Sequence, residues 1–238
     1  MQGGQLQPGA LVLFMRRLQQ YCFKHSDMLA VTNPKTQKDV QKAYQCPATT
    51  VWSNGVDSAL FEPRKRSVEI RRSFSVGDDE LLIGFVGLHG PFQGLDAILD
   101  AARILQSESR FKFICIGEGV EKIRLKEKAA KLRLANVMFH DSRPKEEMPG
   151  IVASCDVSVV SLSARMPGTM PSKFYEALAA GSIPLVADGC EAAPLVATYN
   201  AGVVYEPMDG QSAADALIEL SNKTEDERKQ IRSNAVEL

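Results

Sequence analysis

What this chain lacks narrows its class. In 238 residues there is no apolar run of the roughly 20 residues that a membrane span needs. The stretch ALVLFM (10–15) is too short and soon meets Arg16 and Arg17. It also lacks the cationic start and cleavage site of a signal peptide. It reads as one apolar stripe of a helix from about residue 10 to 25, with peripheral membrane contact as the alternative. Excess charge is missing too. Lys and Arg number 28 against 29 for Asp and Glu, a net charge of −1, so no overall field draws in nucleic acid or an anionic membrane. The five cysteines, Cys22, Cys46, Cys115, Cys155 and Cys190, are odd in number and far apart, and none forms a CxxC pair. They read as reduced, mostly buried thiols of a cytoplasmic protein. No HExxH, paired-histidine set or DxD run occurs, so no bound metal or other cofactor is implied. A P-loop and a GxSxG elbow are absent as well.

What is present is ordinary for a globular protein: 45% hydrophobic and 24% charged residues, with length for one large or two small domains. From residue 81 onward short apolar runs alternate with helical patterns. The strands are LLIGFV (81–86), FKFICIG (111–117), NVMFH (136–140), DVSVVSL (156–162), IPLVA (183–187) and AGVVY (201–205). Helices lie between them, and QSAADALIELS (211–221) follows the last. Val- and Ile-rich strands with little polar alternation predict an α/β fold, a doubly wound parallel sheet covered on both faces. Ligands of such sheets bind beyond the carboxyl ends of the strands, where the strand order switches.

The first 80 residues differ. One helix–strand–helix–strand unit cannot bury a core of its own. Residues 1–53 therefore read as the trailing segment of another domain, 54–78 as a hinge or linker, and 79–238 as the complete domain.

The richest motif is MPGTMPSKFYEALAAGSIPLV (166–186). Pro171 suits the first helical turn, which puts Thr169 or Met170 near the cap, and Gly181 is placed to end the helix. A helix start with free N–H groups attracts phosphate, and Lys173 adds a full positive charge. Gly168 permits close backbone approach. Glu176, about one turn on, is able to accept two hydroxyls of a ribose. Phe174, Ala177 and Leu178 hold the opposite face in the core. The plain alternative is a capped helix with solvated Lys and Glu. It is the combination of proline, lysine, carboxylate and strand-end location that favours a site.

Two further loops follow strands. VGLHGPFQGLD (86–96) contains Gly87, Gly90 and Gly94, and GEGVE (117–121) contains Gly117 and Gly119. Neither fits GxGxxG, which disfavours an NAD-dependent oxidoreductase. Turn geometry explains these glycines as readily as ligand approach does. His89 either donates to a phosphate or is simply exposed. In HDSRPKEE (140–147), Arg143 and Pro144 open either a base-reading loop or a proline-started helix with Glu146 and Glu147 in its first turn; the two readings stand equal.

Taken together, NGVDSALFEP (54–63), FVGLHGPFQGLDAILDAARIL (85–105), FICIGEG (113–119) and PSKFYEALAAGSIPLVA (171–187) resemble the donor-binding half of a GT-B glycosyltransferase. The group is the retaining group 1, or family 4, and the PSK and QGL wording is similar to its capsule and O-antigen branch. The resemblance covers nearly the whole chain. It implies two Rossmann-like domains, the second binding a nucleotide sugar, often UDP-linked, as substrate. It implies an enzyme that passes the sugar to a surface glycan or lipid-linked acceptor held by an N-terminal domain, at the inner face of a membrane. By position, Glu176 would hold the ribose. Gly168, Thr169, Met170, Pro171, Ser172 and Lys173 would meet the diphosphate or sugar, and Gly87 and the residues after it, Leu88, Gly90 and Gln93, with Gly117 and Gly119, the phosphates. Arg143 and Pro144 would lie beside the base. Lys173 and His89 would be the catalytic groups. Three positions depart from the pattern: Gly168 stands where a glutamate is common, Leu88 where an arginine is, and Gln93 where a lysine is. Lys173, with Arg165 or His89, would then have to supply the cationic charge. The alternatives are a non-catalytic sugar-nucleotide binder and a non-hydrolysing UDP-sugar epimerase, whose acid–base residues have no candidates here.

Overall fold

A carboxylate at the foot of a strand organises much of this molecule. The structure, a computed structural model, describes residues 9–44 and 48–238, and Cys46 lies outside them. The chain divides into two units, Met1–Gly55 and Val56–Leu238. The first unit contains α1 (Ala10–Lys24), β1 (Met28–Val31), α2 (Pro34–Ala43) and β2 (Ala48–Val51). The two strands pair in parallel, Met28 opposite Ala48 through Val31 opposite Val51. Asn33 caps α2, its side chain accepting from Thr36 N–H at 2.8 Å with Pro34 at the first helical position.

The second unit begins with α3 (Val68–Ser73) and continues β3 (Leu81–Val86), α4 (Leu95–Ile104), β4 (Phe111–Ile116), α5 (Lys122–Lys131), β5 (Val137–His140), α6 (Met148–Ser154), β6 (Val157–Val160), α7 (Ser172–Ala179), β7 (Ile183–Ala187), α8 (Ala192–Tyr199), β8 (Val203–Tyr205), α9 (Gly210–Asn222) and α10 (Glu225–Glu237). All six strands are parallel, in the order β5-β4-β3-β6-β7-β8. The order reverses between β3 and β6, so the crevice for a ligand opens at their carboxyl ends. Both sheet faces are covered. Ile83, Phe85, Phe111, Phe113 and Cys115 pack under α4 and α9, while Leu82, Ile114 and Ile116 pack with Phe74 and Ile151 on the other side. Burial on both faces removes the polar alternation that a half-exposed strand would show.

Asp156, just before β6, accepts from Arg66 Nη2 at 2.6 Å, Arg71 Nη1 at 2.7 Å, Leu82 N–H at 2.8 Å and Arg232 Nη2 at 3.3 Å. Burial alone would raise its pKa, but Arg66, the Leu82 amide and Arg71 together hold it below the usual aspartate range. This cluster ties α3, the sheet and α10 together at the end opposite the ligand crevice. The stretch 54–78 is thus no bare linker: Arg71, 4% exposed, anchors α3 to the sheet. Burial pushes the thiols of Cys115 and Cys155 up to about 12, so both act as small apolar fillers, whereas Cys22 is exposed.

Candidate functional site

The site grows from the head of α7. Pro171 has φ −66° and ψ 133° and is the residue before the helix, one position earlier in role than the first-turn place its sequence suggests. A proline followed by Ser172 leaves the first amides without a side-chain cap. The N–H groups of Ser172 and Lys173 donate to no acceptor among the described residues, and Phe174 N–H folds back to Pro171 O at 3.1 Å. At the far end, Gly181 N–H bonds to Leu178 O and Ser182 N–H to Ala177 O, both at 3.0 Å, which closes the helix. Phe174, Ala177 and Leu178 are buried, so the opposite face presents Ser172, Lys173 and Glu176 to a cavity of about 600 Å³.

Three walls complete that cavity. Val86 and Gly87 come from the end of β3. Lys145, Glu146, Met148 and Pro149 come from the turn and start of α6. Leu60, Phe61 and Lys65 come from the segment ahead of α3. Gly87 is required by geometry. Its φ is +138°, and a β-carbon there would lie 2.6 Å from Lys173 Cε and 2.9 Å from Nζ. Gly117, after β4, meets the Gly87 carbonyl so closely that a side chain has no space. The two glycine loops therefore lie backbone against backbone, with Gly87 N–H donating to Ile116 O at 2.8 Å.

Lys173 Nζ stands 5.2 Å from the centre of the Phe85 ring, a cation–π contact. Among the described residues no carboxylate lies within 4 Å of it. Burial lowers its pKa, opposed by the charge of Glu176. Burial raises the Glu176 carboxyl, opposed by Lys173. Each is half-buried and under-solvated, and neither is neutralised by contact with the other. Such a pair is poised for an external anion and for hydroxyl donors.

Several expected residues sit elsewhere. His89 is fully buried, its ring 5.5 Å from Phe85 and 6.2 Å from Phe139, with neither ring nitrogen hydrogen-bonded. Burial, then the charge of Lys122, lowers its pKa. It is neither exposed nor directed into the cavity; what the sequence could not reveal is that its backbone pairs with Glu118 and Glu121 and pulls the ring inward. Leu88 is 63% exposed. Leu88, Gly90, Gln93, Gly117 and Gly119 do not line the cavity. Gly168 N–H is taken by Glu191 Oε1 at 2.8 Å, and Thr169 N–H by Met166 O at 3.1 Å. The open amides thus belong to Ser172 and Lys173 rather than to residues 168–171. Pro144 leads into a turn and α6 starts only at Met148, while Arg143 borders an adjoining cleft of about 450 Å³ shared with Lys65 and Glu146. Arg165 is committed to Asp188 and Glu206. Sequence reasoning missed Lys65, Leu60 and Phe61, which lie in the stretch read as linker, and Lys145, which sits in the RPKEE run it had already singled out.

The family model described as glycosyl transferases group 1 matches residues 67–237. A GDP-mannose-dependent alpha-mannosyltransferase of Mycolicibacterium smegmatis is 27% identical over 176 residues, 72% of this chain and 42% of that protein. The probable glycosyltransferase WbjE of Pseudomonas aeruginosa is 24% identical over 87% of this chain and 52% of its own length. Among solved structures, Anabaena HepE in complex with UDP superposes with a TM-score of 0.82 at 21% identity, over 98% of this chain and 64% of that one. The chain spans about half the length of the two sequence relatives or less, and 64% of the HepE chain.

Proposed function

The chain belongs to the group 1 glycosyl transferases, and from that footing we propose that residues 79–238 bind the diphosphate of a nucleotide sugar, a UDP-sugar, at the head of α7. One observation carries the reading: among the described residues, Lys173 stands half-buried in a cavity with no carboxylate within 4 Å, beside two amides that have no acceptor. An anion placed there would satisfy all three. Glu176, one turn further into the same cavity, takes the ribose hydroxyls.

The chemistry follows from charge. Cleaving the anomeric C–O bond leaves negative charge on the departing diphosphate. Lysine and helix amides already in place stabilise that charge as it develops, so the transfer needs no metal. Loss of one such donor raises the barrier by about 2.7–4 kcal/mol. The acceptor, a surface glycan or lipid-linked saccharide, attacks from the face the diphosphate leaves, which retains the anomeric configuration. It is held by an N-terminal domain of which residues 1–53 are the trailing segment, in an enzyme working at the cytoplasmic face of a membrane. On its own, this chain binds donor and transfers slowly or not at all.

Calorimetry with UDP, GDP, ADP and NAD tests the reading. UDP binding that Lys173→Ala abolishes is the expected result, and NAD binding alone would sink it. GDP is included because the mycobacterial relative is named for GDP-mannose. A second reading, a sugar-nucleotide binder without turnover, is favoured by the exposed Leu88 and by the engagement of Gly168 N–H with Glu191. Transfer by the intact protein, unchanged by EDTA, excludes it.

A further inference from the structure

A nucleoside diphosphate carries a negative charge on each phosphate, and Lys173 is one cation. The other cations once available on sequence grounds are elsewhere: His89 is sealed in the core, Arg165 is paired with Asp188 and Glu206, and Arg143 opens onto the neighbouring cleft. Two lysines to which the sequence assigned no role do line the cavity. Lys65 comes from the helical turn Pro63–Lys65, and Lys145 from the turn before α6, so with Lys173 they reach in from three separate walls. Neither has a carboxylate within 4 Å among the described residues. Lining carboxylates are Glu146 and Glu176, which leaves the cavity with a surplus of positive charge.

We infer that Lys65 and Lys145 are the second and third cations of a three-sided diphosphate clamp whose floor is Lys173. The inference rests on the donor-site reading above and names the residues that stand in for the cations missing at Leu88 and Gln93. Lys65, like Lys173, is half-buried and Lys145 is exposed, so the share of Lys145 is the most readily screened by salt.

The test is calorimetry on the whole chain with UDP, UMP and uridine, with GDP, GMP and guanosine in parallel, at low and high salt. Lys65→Ala and Lys145→Ala each weaken diphosphate binding by about fivefold, as for partly exposed charge pairs. The monophosphate loses less, the nucleoside nothing, and the double variant shows a shallower salt dependence. Arginine at both positions restores binding. If the variants bind UDP and GDP as the parent does while Lys173→Ala abolishes binding, these lysines are solvated surface and the inference fails with the donor site intact. If they weaken uridine or guanosine equally, they act on the nucleoside end or on the fold, and the clamp is again overturned. A parent chain that binds no nucleotide at all instead removes the donor-site reading itself.

Discussion

The two units use the same local grammar to opposite ends. In the first, the fifteen residues of α1 include none that is buried; Leu11, Leu13, Phe14, Met15, Leu18 and Tyr21 are all exposed. Among its described residues, Asn33 alone is buried, and it is polar. In the second, α4 alone buries Leu95, Ala97, Ile98, Leu99, Ala101 and Ala102. Both units are built of helices and parallel strands, and α1 has the apolar periodicity of a core helix. What separates them is the number of surfaces available. Two four-residue strands offer a small face, whereas six strands with helices on both sides enclose side chains completely. Periodicity tells which side of a helix wants cover; it does not tell whether cover exists.

That contrast can be broken most forcefully at Asp156. Asp156→Ala strands Arg71 in the core beside Arg66 and Arg232, and should cost the second unit about 3–5 kcal/mol. Urea unfolding followed by circular dichroism measures the loss. Trp52, the chain's single tryptophan, lies in the first unit and is 76% exposed, so its emission should report no matching shift. Coincident shifts of both signals would mean that the two units unfold as one. The same carboxyl sets the acid limit. Its folded pKa is depressed, so its stabilisation is complete above the ordinary aspartate value of about 3.9 and disappears as pH falls through the lower folded value. Asp156→Asn should flatten that acid transition.

At the cavity the expected effects are smaller. Gly87→Ala forces a side chain against Lys173 at a positive φ, at a cost of about 1–3 kcal/mol, read as weaker nucleotide binding by calorimetry. Binding should also trace a bell against pH. The lowered pKa of Lys173 removes its charge earlier on the alkaline side than for an ordinary lysine near 10.4. The raised Glu176 is protonated earlier on the acid side than an ordinary glutamate near 4.3. A profile with ordinary limits would mean that neither group meets the ligand. The smallest effect belongs to the first unit: Leu13→Ala in α1 should change stability by no more than about 0.5 kcal/mol.

The strands of the second unit were legible because a doubly covered parallel sheet demands uninterrupted apolar runs, and Leu81–Val86 or Ile183–Ala187 admit few other readings. Element ends were less so. The strand expected over 201–205 is Val203–Tyr205, and the helix expected from Pro144 starts at Met148, because turns carry no period. Lys173 and Glu176 could be singled out since both ride one helix whose buried face was readable. Lys65 and Lys145 could not, because only the folded chain brings 60–65 and 145–149 to the same opening. His89 shows the converse: a polar residue in a glycine-rich loop looks exposed until the backbone pairing that buries it is known.

The abutting backbones of Gly87 and Gly117 have a practical consequence for anyone recombining this protein with its relatives. The turns after the first and second strands of the sheet behave as one mechanical part. Grafting the second alone, from a relative with a side chain at 117, would wedge the Gly87 turn away from its place beside Lys173, and a side chain at 87 would press on Lys173 itself. A workable chimera has to exchange both turns together.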